Sequence, residues 1–141
     1  MIQRIQTLYL ALGAIALFAT ALFSDPWSSQ AAESFTWFLP AVIGLLTVSG
    51  LVGLGAIGLY NNRKKQRKVV VGAQVMTVAY LVALYAGFYL SGELVLRTPS
   101  GVKWETTTVL LLPVIAYSLF YLARRAINSD IELVKSMDRL R

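Results

Sequence analysis

Side chains able to do acid–base, nucleophilic or ligating chemistry are few in this sequence, and their positions say more than their number. There is no histidine and no cysteine. The first absence removes the commonest general base, metal ligand and physiological pH switch. The second excludes disulfides, thiolate metal sites and thiol nucleophiles. Seven carboxylates remain, at Asp25, Glu33, Glu93, Glu105, Asp130, Glu132 and Asp138. All lie in polar connections or in the C-terminal tail, so none is placed to relay protons inside a membrane, where an ionisable group at depth is the usual device. No nucleophile–base pair emerges from the spacing. The chain is therefore expected to be no enzyme, with no cofactor and no metal site. Among neutral groups, Gln74 is the one amide well inside an apolar stretch. Its expected role is hydrogen bonding between helices, worth about 0.6 kcal/mol in membranes. Tyr80, Tyr85 and Tyr117 also lie deep, either lining a cavity or packing against small residues.

The elements that must carry these groups are apolar helices. Hydrophobic residues make up 57% of the 141 and charged residues 14%, against roughly 45–50% and about 25% in soluble domains. So little polar surface cannot cover a soluble protein, and the surrounding solvent is lipid. A hydrocarbon core about 30 Å thick needs roughly 20 apolar residues per helix. Four segments satisfy this, at 5–23, 36–60, 69–90 and 106–123, and none contains Asp, Glu, Lys or Arg. The expected fold is all-α: a four-transmembrane-helix bundle forming one domain over 1–141, with an amphipathic cytoplasmic helix at its C-terminus. The start of the chain has some features of a signal peptide, with Arg4 ahead of the apolar run and Ala19-Thr20-Ala21 after it. A run of about 19 residues exceeds the usual signal core of 7–15, and a retained first span is expected.

The charges set the expected orientation. The segment 61–68 reads NNRKKQRK, a basic loop between the second and third spans. With the N-terminus, this loop and the tail on one side, that side holds eleven Lys and Arg, while the other holds only Arg97 and Lys103. Positive charge resists translocation, so both termini are expected to be cytoplasmic. Arg63, Lys64, Lys65, Arg67 and Lys68 are then topology determinants that also meet anionic lipid or a partner. The net charge of +6 does not imply nucleic acid, because no interleaved aromatics or reading module accompany it.

Several patterns bear on packing. Ala79, Ala83, Gly87 and Ser91 recur every four residues, forming a small-residue stripe that suits helix packing within the chain or a homodimer seam. The second span carries Gly44, Gly50, Gly53, Gly55 and Gly58, expected to allow close packing on several sides. Pro40 falls in a first helical turn, whereas Pro113 is interior and favours a kink. Trp27, Trp37 and Trp104 suit the interfacial aromatic belt. Leu94 to Trp104 alternates around Thr98-Pro99-Ser100-Gly101, which predicts a small hairpin.

In the tail, Ser129 followed by Glu132 reads as a capping box, predicting a new helix from Asp130. Ile127, Ile131, Leu133, Val134, Met137 and Leu140 share one side, with Lys135 and Arg139 on the other. Such a helix suits the headgroup region, a protein partner or the chain's own helices. Ile131, Val134, Lys135 and Arg139 are the candidate contact residues.

The start MIQRIQTLYL, the pair Asn62-Arg63 with Gln66, and the finish LARRAINSDIELVKSMDRLR together resemble an uncharacterised family of small bacterial membrane proteins with four predicted spans. Within the tail the likeness is carried by Asp130, Leu133, Val134, Ser136, Asp138, Arg139 and Arg141, with departures at Ser129 and Ile131. The resemblance implies the four-span topology and a bacterial inner-membrane location, and it supplies no activity. The expected function is a non-catalytic structural, scaffolding or regulatory role beside membrane lipids, with a homo-oligomer or a membrane protein as partner. The alternative is a small-molecule transporter or channel acting as an oligomer.

Overall fold

The computed structural model describes residues 2–139, and helices dominate it. Met1, Leu140 and Arg141 lie outside the described residues, as does the side chain of Arg4. The long helices are α1 (Ile2–Ala19), α4 (Phe38–Gly58), α5 (Arg63–Leu90) and α6 (Trp104–Arg139). Two short helices, α2 (Asp25–Ser28) and α3 (Gln30–Ser34), fill the first connection. All four long helices contain stretches long and apolar enough to cross a membrane, which makes this a multi-pass membrane protein. Ile15, Leu51, Val82 and Leu111 are exposed along them, as lipid-facing side chains should be.

The four helices pack in ring order: α1 on α4, α4 on α5, α5 on α6, and α6 back on α1. Glycines set the close approaches. The Phe120 ring of α6 lies over two of them, and a Cβ built at Gly13 or at Gly53 would come within 2.7 Å of it. Phe18 covers Gly50 and Phe38 covers Gly87 in the same way. Gly44, Gly55 and Gly58 meet nothing within 4 Å, so the glycines of α4 give close packing at Gly50 and Gly53 only, and not on several sides as expected. In the small-residue stripe, Ala83 and Gly87 are buried, while Ala79 and Ser91 are half-buried. At Gly87 the stripe serves packing against α4 of the same chain.

One buried polar pair crosses this core. Thr20 and Tyr80, both fully buried, have oxygens 2.9 Å apart. Thr20 gives its single hydroxyl hydrogen to the Leu17 carbonyl at 2.6 Å, so Tyr80 is the donor in the pair. Pro113 is buried within α6, which remains helical through it.

Two helix boundaries differ from the expectation. The basic segment is mostly not a loop: α5 starts at Arg63, six residues earlier than predicted, because the Asn62 side chain accepts the Lys65 N–H at 3.2 Å and caps it. The tail forms no separate helix, because α6 continues through Ser129, whose hydroxyl donates back to the Arg125 carbonyl at 3.2 Å instead of capping forward. A 36-residue helix is about 54 Å long, well beyond the hydrocarbon thickness. The predicted hairpin is present as β1 (Arg97–Thr98) and β2 (Gly101–Val102), antiparallel, with Arg97 opposite Val102. Gly101 takes φ +129 at this turn, a conformation that side chains rarely adopt.

Candidate functional site at the basic end of the helices

At the end of the molecule opposite the hairpin, three helices meet around one carboxylate. Asp130 of α6 is only 4% exposed. Its Oδ2 accepts a hydrogen bond from Gln6 Nε2 of α1 at 2.7 Å, and Arg63 Nη1 of α5 lies 3.4 Å from the same oxygen. A carboxylate loses hydration on burial, and two donors, one of them cationic, replace it. Gln66, one turn on from Arg63 and also buried, donates from Nε2 to the Ala56 carbonyl at 3.0 Å. Ala56 is in the last turn of α4, where its carbonyl also accepts the Leu59 N–H at 3.3 Å, so the Gln66 amide adds a side-chain bond from α5 to that helix end. Polar side chains thus tie all four long helices together at this end.

Placing five cations in the first turns of α5 opposes its macrodipole, since positive charge is disfavoured near a helix N-terminus. The Asn62 cap and the Asp130 carboxylate offset part of that repulsion. Arg63 is held by the ion pair and also forms one wall of a surface groove.

That groove, about 340 Å³ in volume, is lined by Arg63, Lys64, Ile131, Val134, Lys135 and Asp138. Three cations and one carboxylate thus surround two aliphatic side chains. The groove suits a ligand with an apolar body and excess negative charge. Leu133, Val134 and Met137 on the same part of α6 are exposed, adding apolar surface beside it.

Of the nine residues predicted to contact lipid or a partner, Arg63, Lys64, Ile131, Val134 and Lys135 come together here. Lys65, Arg67 and Lys68 are exposed elsewhere on α5. Arg139 lies on a second, more open depression of α6 with Glu132, Lys135 and Ser136. The small-residue positions Ala79, Ala83 and Gly87 fall along the later turns of α5, with Ser91 capping its end, away from the groove.

Two acidic groups at the hairpin end, Asp25 and Glu93, are engaged by local structure. Thr106 donates to Asp25 Oδ2. Glu93 Oε2 accepts the Gln30 N–H at 2.9 Å and faces the Ser91 hydroxyl at 3.4 Å.

Sequence reasoning missed Gln6 and Asp130 as partners, since nothing in the spacing links positions 124 residues apart. A signal was present nonetheless. Gln6, Asn62, Arg63, Gln66 and Asp130 all fall in the three stretches singled out in the sequence, at the start, the middle segment and the tail, and the fold brings these residues to one end.

A family model described as a domain of unknown function (DUF4293) matches residues 2–140, nearly the whole chain, and the chain belongs to that family. No curated protein and no solved structure matches it.

Proposed function

We propose that this DUF4293 member is a non-catalytic scaffolding or regulatory protein of the bacterial inner membrane, with both termini and the basic groove in the cytoplasm. The observation that carries this reading is the groove between α5 and α6, which sets three cations and one carboxylate around Ile131 and Val134 and is held in place where Asp130 of α6 meets Gln6 of α1 and Arg63 of α5. Its partner is an acidic amphipathic segment of another membrane-associated protein. The exposed apolar residues Leu133, Val134 and Met137 extend the contact beyond the groove. Placing the eleven-cation side in the cytoplasm follows the positive-inside tendency.

The test is affinity purification from native membranes in mild detergent, comparing the unaltered chain with Val134→Asp and Lys64→Glu/Lys135→Glu. A partner present with the unaltered chain and lost from both variants supports the reading. A lone homo-oligomer, or solute flux by the purified protein alone in proteoliposomes, overturns it.

A further inference from the structure

A second groove runs along the side of the same two helices, facing the lipid. It holds about 220 Å³ and is lined by Val71, Gln74, Val75 and Val78 of α5 with Tyr117 and Arg124 of α6. Val75, Val78 and Tyr117 are exposed to the surroundings, so the groove opens laterally. Besides the Tyr117 side chain, its polar groups form one pair: Arg124 Nη1 donates to Gln74 Oε1 at 3.4 Å.

This pair is unbalanced in a way that points to a ligand. Arginine can only donate, so Gln74 must present its carbonyl oxygen to Arg124. Its own amide nitrogen is thereby left buried and without a partner. A glutamine serving only to join two helices would satisfy both its ends. Here one is given up, and the effect is to hold the guanidinium at the groove. Among the described residues no carboxylate lies within 4 Å of Arg124, so its charge is uncompensated by protein.

Depth identifies what compensates it. Arg124 is twenty residues along α6 from Trp104, a rise of about 30 Å, which is one hydrocarbon thickness. With Trp104 at one interface, Arg124 stands at the opposite one, level with lipid phosphates. Tyr117 and Val78 lie further toward the membrane centre, where acyl chains are.

We infer that the lateral α5–α6 groove binds one anionic phospholipid, its phosphate on Arg124 and an acyl chain along Val75, Val78 and Tyr117. Gln74 acts as a positioning residue through its bond to Arg124. The site is separate from the groove at Lys64 and Lys135 and does not depend on the partner proposed there.

Native mass spectrometry of the full chain released from detergent tests this, with phosphatidylglycerol, phosphatidylcholine of the same acyl chains, or inorganic phosphate added. The expected result is one phosphatidylglycerol per chain, retained under activation that strips phosphatidylcholine. Arg124→Gln should lower its occupancy by about tenfold, while Arg125→Gln, which removes the same charge from an exposed neighbouring position, should change it less than about twofold. Val78→Trp fills the groove from an exposed position, leaves the polar pair intact, and should lower occupancy like Arg124→Gln. Equal retention of the two lipids, equal effects of the two arginine variants, or no effect of Val78→Trp would overturn the site. So would displacement of the lipid by inorganic phosphate, or loss of a dimer with lipid occupancy unchanged, which would place a second copy in the groove.

Discussion

Gln6 and Asp130 are separated by 124 positions in sequence and by 2.7 Å in space. The bond closes the ring of helices between α1 and α6, and Arg63 reaches the same carboxylate oxygen from α5. Asp130 is the only buried carboxylate among the described residues, and it is fully surrounded by the chain that needs it.

Removing Asp130 tests this junction. Asp130→Ala leaves the Gln6 amide buried without its acceptor and should destabilise the protein by about 2–3 kcal/mol. Thermal unfolding in detergent, followed by circular dichroism, reads the change. Asp130→Asn keeps an acceptor for Gln6 but drops the ion pair and should fall between. A midpoint for Asp130→Ala equal to that of the unaltered chain would refute the role.

The glycine contacts make a sharper contrast. Gly53→Val drives side-chain atoms into the Phe120 ring and should cost about 1–3 kcal/mol. Gly44→Ala on the same helix meets open space and should be neutral or slightly stabilising. Equal effects of the two substitutions would mean that the ring is not seated on Gly53.

Much of this architecture was legible in the sequence, and what was not has physical reasons. Apolar length gives the four spans directly, because the bilayer imposes it. The Thr98-Pro99-Ser100-Gly101 turn gives the hairpin because turn chemistry is local. Helix ends were misplaced where local signals competed. Ser129 followed by Glu132 looks like a cap, yet a serine inside a continuing helix bonds backward just as readily. Gly50 and Gly53 could not be told from Gly44 and Gly55, since what distinguishes them is a phenyl ring from another helix. The groove is half legible: five of its six lining residues stand in the two segments read as contacts, Asp138 being the exception, but only the fold shows that they meet.

The hydroxyl pair at the other end of α1 should matter less than Asp130. Tyr80→Phe removes one donor from Thr20 and should cost about 0.6 kcal/mol, the usual size of such bonds in membranes. A loss several times larger would show that Tyr80 also carries packing that phenylalanine cannot reproduce.

The early start of α5 depends on its cap. Asn62→Ala should cost about 1 kcal/mol and speed amide exchange at Lys65, whose N–H would lose its acceptor. Unchanged exchange there would mean that the helix start is set by Gln66 and Asp130 instead.

Orientation is open to a direct experiment, because the chain has no native cysteine. Single cysteines at Ser100 and Ser136 should differ toward a membrane-impermeant maleimide. Ser100→Cys should label in intact cells, and Ser136→Cys only after permeabilisation. The reverse pattern would invert the proposed topology.

Phe120 and Asp130 have a temporal consequence. Both belong to α6, which leaves the ribosome after the other three long helices, yet their partners Gly13, Gly53, Gln6 and Arg63 lie on those three. Until α6 arrives, the glycine hollows of α1 and α4 are vacant, and the two donors at the basic end have no acceptor. The first three of these spans therefore emerge as an unfinished shell, and synthesis of α6 locks it shut.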